Sequence, residues 1–107
     1  MTIVWSTQSW RDLRAIHDFI VRDSKHYADL QIERLITRVE RAAEIPSTGH
    51  PVHEFPESGL REVHEGGYRI IYGTPNDGFQ VVTLVQMKEQ VPRRRLSWAQ
   101  TRKTHRV

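Results

Sequence analysis

The stretch LREVHEGGYRIIYG, Leu60–Gly73, constrains the fold of this chain more than any other part of its sequence. Two strand-forming runs flank Gly66 and Gly67, and a glycine pair suits the positive φ angles of a two-residue hairpin turn. The register that follows pairs Glu65 with Tyr68, His64 with Arg69, Val63 with Ile70, Glu62 with Ile71, and Arg61 with Tyr72. The sequence therefore predicts an antiparallel hairpin in a defined register.

Charged residues are set into both strands of this hairpin. Side chains alternate between the two faces of a strand, and the face with more apolar and aromatic side chains should meet the helices. Its apolar and aromatic side chains are Val63, Tyr68, Ile70 and Tyr72, and it also carries Arg61 and Glu65. We therefore expect Glu62, His64 and Arg69 to lie together on the face that the helices leave open. A slip of one residue in the turn would invert both assignments.

The other elements follow from hydrophobic periodicity. Ile3–Trp5 is predicted to be a first strand, and Thr7 is expected to cap a helix. Ser24 is expected to cap a second helix, which Pro46 ends. Phe79–Met87 is predicted to be the last strand. The order β-α-α-β-β-β predicts an α+β fold, with a two-helix hairpin on one face of an antiparallel sheet.

Two details of the strands complete this prediction. The loop after the second helix contains a possible short strand at Val52–Phe55. In the last strand, alternation directs one set of side chains to the helices: Phe79, Val81, Thr83, Val85 and Met87. It directs the other set to the open face: Gln80, Gln86 and Lys88.

Composition limits the classes of protein to consider. A chain of 107 residues suits one domain. The absence of cysteine excludes disulfides, a thiol nucleophile and cysteine-based zinc sites. No apolar run approaches the roughly 20 residues that span a bilayer, and the first residues do not resemble a secretory signal. We expect a cytoplasmic protein with no membrane association.

No cofactor or metal is expected. Gly66-Gly67 is a hairpin turn and does not form the strand-to-helix loop that cradles phosphates. His50 and His53, with Glu54 adjacent, have a plausible ligand spacing. A structural zinc site usually needs four ligands, so this pattern predicts none.

Basic residues are concentrated at the end of the chain. Lys and Arg number 16 against 13 acids, for a net charge of +3. Six of the basic residues, and no acid, fall in the last eighteen positions: Arg93, Arg94, Arg95, Arg102, Lys103 and Arg106. We therefore divide the chain into a domain at 1–92 and a basic C-terminal tail at 93–107. The tail is predicted to contact an acidic or polyanionic partner, the alternative being a solvated tail.

Arg61 needs a separate explanation, because it falls on the nominally apolar face. Its stem can be buried there while its charged end reaches water or an acid. The candidate partners are Glu54, Glu57 and Glu65. This pattern favours a structural role for Arg61.

The chain resembles the RelE/ParE superfamily of toxins from type II toxin–antitoxin systems. The resemblance covers nearly the whole length and is carried by the hairpin LREVHEGGYRIIYG, by GHPVHEF after the second helix, and by VVTLV in the last strand. It implies a helical hairpin on a curved antiparallel sheet. It also implies a cognate antitoxin that wraps the toxin, with operator DNA bound only through that antitoxin.

The resemblance leaves two functions open. The L-R-E and Y-R-I-I-Y segments are more similar to those of ParE-like members, which poison a protein target such as DNA gyrase. RelE-like members instead cut mRNA on the ribosome, by attack of a 2′-hydroxyl on its phosphodiester. That reaction needs a base, positive charge on the phosphate and an acid. A third interpretation is a degenerate, inactive member that is retained as an antitoxin or DNA-bound regulatory partner.

The candidate site residues differ between these functions. If the chain is a nuclease, the resemblance implies Arg69 at the scissile phosphate and Lys88 in the place of the basic residue near the end of the last strand. His64, Glu62 and Arg69 are the candidates for an alternative acid–base set. The absence of a tyrosine after Lys88 departs from the nuclease pattern. If the chain acts by binding, the residues predicted to contact partners are Arg61, Arg93, Arg94, Arg95 and Trp98.

Overall fold

The protein is described by a computed structural model that covers residues 2–96 and the backbone of a strand at 102–106. The helices are α1 (Thr7–Val21) and α2 (Lys25–Glu44). The strands are β1 (Thr2–Ser6), β2 (His50–Pro51), β3 (Arg61–Glu65), β4 (Tyr68–Gly73), β5 (Phe79–Gln86) and β6 (Arg102–Arg106). The predicted α+β fold, with a helical hairpin on one face of a sheet, is confirmed. The predicted strand at Val52–Phe55 is replaced by the shorter β2.

Each helix begins at a serine cap. Ser6 Oγ accepts a hydrogen bond of 2.9 Å from the Ser9 amide, so Ser6 caps α1 and the prediction of Thr7 as the cap is wrong by one residue. Ser24 caps α2 as predicted, because its Oγ accepts a 3.1 Å hydrogen bond from the Tyr27 amide. The helix α2 ends just before Pro46, since proline disfavours helical geometry in the residue before it. The caps satisfy donors that a helix start leaves unpaired.

The sheet is mixed. Its order is β2-β3-β4-β5-β1-β6, and β1 runs parallel to β5. The other neighbouring pairs are antiparallel. The chain can join β1 to a parallel neighbour because the helical hairpin supplies the long crossover that parallel pairing requires. A local hydrophobic pattern carries no information on this pairing.

The predicted register of the β3–β4 hairpin is confirmed at all five pairs. The prediction for β5 holds only in part, because a bulge interrupts its pairing with β4. Ile71 pairs with Thr83 while Tyr72 pairs with Val81, which leaves Val82 as an extra residue. An extra residue reverses the facing of the side chains beyond it. Val85 therefore packs away from the helices, and the prediction that it faces them is wrong.

The main core lies between the helices and one face of the sheet, which we call the helix face. Its buried side chains include Trp5 of β1, Leu35 and Val39 of α2, and Ile70 and Tyr72 of β4. Each helix is apolar along one side, and the buried residues of both helices lie on the side that meets this layer. The predicted contact between the apolar side of the hairpin and the helices is confirmed.

The opposite face of the sheet, the second face, is also covered. A smaller core lies there, formed by Val52, Leu60, Ile71, Val82, Val85 and Val91, with Leu96 packed against it. The segment after β5 supplies Val91 and Leu96, and the loop after β2 supplies Val52. The prediction that this face is open is wrong, because two connecting segments cross it and exclude water.

Part of the predicted basic tail belongs to the sheet. The strand β6 pairs antiparallel with β1, from Thr2 opposite Arg106 to Ser6 opposite Arg102. This pairing extends the sheet beyond β1 at its edge. The domain boundary at 92 stays a prediction.

Among the described residues, no helix combines the length and the apolar character needed to cross a membrane. The two α-helices instead form one layer over the sheet, and α1 packs on both α2 and β5.

Candidate functional site

Arg69 lies at the centre of the second face, and only 3% of it is exposed. Nε and Nη2 donate to Glu62 Oε2 at 2.8 and 2.6 Å. Nη1 and Nη2 donate to the two oxygens of Glu54 at 2.8 and 2.7 Å. Nη1 also donates to the carbonyl of Glu89 at 2.9 Å. A guanidinium has five N–H groups, so every donor of Arg69 has an acceptor.

The charges in this ion cluster, formed by Arg69, Glu54 and Glu62, stabilise one another. Hydrogen bonds from Arg69 lower the pKa of Glu54 to about 2, against the opposing effect of burial, and the Val91 amide adds a further hydrogen bond. The hydrogen bond to Glu54 likewise raises the pKa of Arg69, again against burial. One positive and two negative charges leave the cluster with a formal charge of −1.

Histidines lie at the rim of the ion cluster. His64 Nε2 is 3.0 Å from Glu62 Oε1, and 41% of the His64 side chain is exposed. His53 Nδ1 is 3.3 Å from Glu54 Oε1. Both imidazoles therefore contact carboxylates that already pair with Arg69. Within the described part of the chain, no group of three or more potential ligands could hold a metal ion.

The nuclease site predicted from the sequence is only partly assembled. Arg69, Glu62 and His64 lie together as expected, and Glu54 joins them. Lys88 is exposed, and no contact among the described residues joins it to the cluster. In this arrangement Arg69 has no donor available for a phosphate, and the formal charge of the cluster repels one. The catalytic roles of these residues stay predictions.

Arg61 does not pair with the glutamates considered for it. Its Nη1 donates to the carbonyl of Gly49 at 2.6 Å. The prediction of a carboxylate partner among Glu54, Glu57 and Glu65 is wrong. Glu54 is instead occupied by Arg69, because β2 and its loop turn that carboxylate over the second face.

The arginines that follow β5 lie in different surroundings. Arg93 stacks over the Phe55 ring at 4.5 Å, with Glu57 at 3.7 Å. Arg95 Nη1 is 3.9 Å from Asp12 Oδ1, and Arg94 is exposed. Trp98 lies outside the described residues. The predicted partner contacts of this segment stay predictions, and both Arg93 and Arg94 are exposed.

Asp12 was not anticipated from the sequence. It lies on α1 and is 8% exposed. Its Oδ2 accepts hydrogen bonds from Thr83 Oγ1 at 2.5 Å and from the Leu84 amide at 2.9 Å. Its Oδ1 accepts one from Gln8 at 2.8 Å. The carboxylate thus accepts the hydrogen bond that a neighbouring strand would accept, at the point where β1 no longer pairs with β5. In the sequence, the only indication of this role was an acidic residue on the buried side of a helix.

A groove of about 620 Å³ runs between the outer surfaces of the two helices. It is lined by Thr7, Trp10, Arg11, Leu13, Arg14, His17, Ile32 and Ile36. Arg11 and Arg14 are exposed, and none of the ion pairs among the described residues includes either of them. His17 is engaged by Asp29 at 2.8 Å. The groove therefore combines an apolar floor with unpaired positive charge on its rim.

Comparisons with known proteins agree with this architecture. The family model described as the ParE toxin of type II toxin–antitoxin system, parDE, matches residues 3–91. A solved structure described as the chromosomal ParDE TA system from P. aeruginosa superposes with a TM-score of 0.67. The two sequences are 18% identical, and the match covers 80% of this chain and 95% of the other. That likeness concerns the fold. A comparison with curated proteins finds no match.

Proposed function

The chain belongs to the ParE toxin family of type II toxin–antitoxin systems, and from this premise we propose that it arrests growth by binding and poisoning a protein target. DNA gyrase is the target that the resemblance to ParE-like members favours. A cognate antitoxin neutralises the chain, and operator DNA is bound through that antitoxin. The proposed location of this activity is the cytoplasm.

The occupation of Arg69 is the observation that carries this proposal. A ribonuclease that cleaves through a 2′-hydroxyl needs positive charge that can reach the phosphate. Arg69 is 3% exposed, and its five donors are held by Glu54, Glu62 and the Glu89 carbonyl. Freeing them would leave two buried carboxylates uncompensated, at a cost of about 3–5 kcal/mol. Binding without catalysis requires no such rearrangement.

The groove between α1 and α2 supports the antitoxin part of the proposal. Its apolar floor suits the hydrophobic side of an amphipathic segment, as in helix-in-groove recognition. Arg11 and Arg14 on the rim suit acidic residues on the polar side of that segment. Because rim charges act mainly on association, Arg11→Glu and Arg14→Glu should slow antitoxin binding, whereas Arg34→Glu, outside the groove, should not.

Induction of the chain alone in a bacterial host tests the function. Growth, plasmid supercoiling and mRNA 5′ ends are measured for the unmodified chain, for His64→Ala and for Lys88→Ala. Both side chains are exposed, so neither substitution should unfold the protein. His26→Ala, at another exposed histidine, is the matched control for His64. We expect arrest with altered supercoiling, intact mRNA and no loss of effect in any variant.

Different outcomes would reject different parts of the proposal. New mRNA cleavages that disappear in His64→Ala or Lys88→Ala but persist in His26→Ala would replace it with the nuclease function. Arrest with normal supercoiling and intact mRNA would exclude gyrase as the target. Growth without arrest, despite folded protein, would reject a toxin and favour the degenerate partner.

A further inference from the structure

A small cavity with several polar side chains in its lining lies at the end of the sheet, beyond the C-terminus of α2. Its volume is about 190 Å³, and it is lined by Pro46, Ser47, Gly59, Arg61, Tyr72, Gly73 and Thr74. Sites for drug-sized ligands typically measure about 300–1,000 Å³. This cavity therefore suits one small polar group. None of its lining residues belongs to the ion cluster or to the groove between the helices.

Arg61 brings a positive charge to this cavity. The guanidinium has five N–H groups, and one hydrogen bond, from Nη1 to the Gly49 carbonyl at 2.6 Å, fixes its position. That is its sole hydrogen bond within residues 2–96, and no ion pair there includes Arg61. The guanidinium is half-buried. It is thus anchored at one nitrogen, with its remaining donors available to a ligand.

Tyr72 forms the inner wall and holds the backbone that positions Arg61. Its hydroxyl donates to the Pro46 carbonyl at 2.5 Å and accepts from the Gly49 amide at 3.1 Å. Burial raises the pKa of Tyr72, while the Gly49 hydrogen bond and the charges of Arg61 and Arg38 act the other way. Two guanidinium charges therefore act on this end of the sheet. In the described chain neither is paired with a carboxylate, so the local field favours an anion.

Two hydroxyl groups complete the set of donors. Ser47 follows α2 and Thr74 follows β4, and both residues are exposed. Among residues 2–96, neither side chain makes a hydrogen bond. Arg61, Ser47 and Thr74 come from three separate parts of the chain and border one cavity. Donors from several elements suit the oxygens of a tetrahedral oxyanion better than the single plane of a carboxylate.

We propose that this cavity binds a phosphate group. Arg61 supplies the charge, and the Ser47 and Thr74 hydroxyls donate hydrogen bonds to the phosphate oxygens. The phosphate belongs either to a small molecule, such as inorganic phosphate or a mononucleotide, or to the backbone of a nucleic acid. The site lies apart from the ion cluster and the groove on which the proposed function rests, and the predicted partner contact of Arg61 stays a prediction.

Titration followed by NMR tests the proposal on the full chain. The probe is inorganic phosphate, and the signals are Arg61 Nε–Hε and the backbone amides of Gly59 and Thr74. Ionic strength is held constant with chloride, and acetate serves as the carboxylate comparison. We expect saturable shifts with phosphate, at least tenfold weaker binding in Arg61→Gln, and about threefold to tenfold weaker binding in Ser47→Ala or Thr74→Ala.

Controls separate a site from a general charge effect. Arg34→Gln removes an exposed arginine of α2 that does not line the cavity, and it should leave phosphate binding unchanged. Ser47→Ala and Thr74→Ala remove no hydrogen bond within residues 2–96, so they keep the test valid if Arg61→Gln fails to fold.

The source of the phosphate is resolved by two further probes, a 5′-mononucleotide and a short DNA duplex. Tighter binding of the mononucleotide would support a small-molecule source, and tighter binding of the duplex would support a nucleic-acid backbone. Shifts that do not saturate, that acetate reproduces equally, or that persist in all three cavity variants would overturn the proposal.

Discussion

The two faces of the sheet are sealed by different means. The helix face is covered by two helices, whose apolar side chains bury Trp5, Ile70 and Tyr72 in a continuous core. The second face is covered by connecting segments, and beside its six-residue apolar cluster it buries Arg69 and Glu62. A helix presents an apolar stripe over its whole length, whereas a connecting segment presents only isolated side chains. Charged hydrogen bonds hold those segments in place on the second face.

This difference shows why charge occurs in the middle of a small sheet. Arg69 reaches the β2–β3 loop through Glu54 and the segment after β5 through the Glu89 carbonyl. Glu54 also accepts from the Val91 amide at 2.9 Å. One buried arginine thus ties two irregular segments to the sheet. The geometry fixes their course, although a buried ion pair need not be more stabilising than apolar packing.

The largest expected effect is from Arg69→Ala. It leaves two buried carboxylates without their partner and should lower the free energy of unfolding by about 3–5 kcal/mol. Leu35→Ala, in the core of the helix face, should cost about 3 kcal/mol. Urea denaturation compares the two, with the exposed Arg34→Ala as control. A loss below about 1 kcal/mol for Arg69→Ala would show that the ion cluster does not seal the second face.

A smaller effect is expected from pH, through Glu54. Its pKa is lowered from 4.5 to about 2 in the folded protein, so its contribution is complete above pH 4.5 and is lost as pH falls towards 2. The loss should reach about 3 kcal/mol at most. Free energies of unfolding between pH 7 and 2 should therefore fall less steeply for Glu54→Gln than for the unmodified chain. The Leu35→Ala variant should keep the unmodified slope, and equal slopes for Glu54→Gln would contradict the prediction.

The smallest effect is expected from His64→Ala. His64 contacts Glu62 at 3.0 Å, but 41% of its side chain is exposed and Arg69 already satisfies that carboxylate. Because only the imidazole is partly exposed and Glu62 keeps its pairing with Arg69, loss of the contact should change the free energy of unfolding by less than about 1 kcal/mol. A loss as large as that of Arg69→Ala, measured in the same urea series, would place His64 inside the ion cluster and not at its rim.

The sequence was most informative where local rules apply. The glycine pair fixed the turn and therefore all five pairs of the hairpin, and the cap at Ser24 was correctly placed. The prediction of which β5 side chains face the helices was wrong beyond Val82. A bulge depends on the partner strand and leaves no distinct local pattern in the sequence. The cap of α1 was misplaced by one residue, since Ser6 and Thr7 are both good caps.

The sequence predicted only some of the residues of the candidate site, and it did not predict how Arg69 is paired. The register alone brought Glu62, His64 and Arg69 to one face. Nothing local indicated that Glu54 would reach Arg69 from 15 positions away, or that Asp12 would reach Leu84 from 72. Both contacts depend on how distant segments cross the sheet.

By itself, the sequence determined both helices, the hairpin with its register, the first and last strands of the predicted order, and the family to which the chain belongs. Periodicity, caps and turns act over a few residues, so they can be read along the chain. The tertiary structure alone decided that the second face is closed, that Arg69 is fully engaged, and that β1 lies parallel to β5. A charged side chain is exposed or buried according to what packs over it, and those residues come from distant parts of the chain.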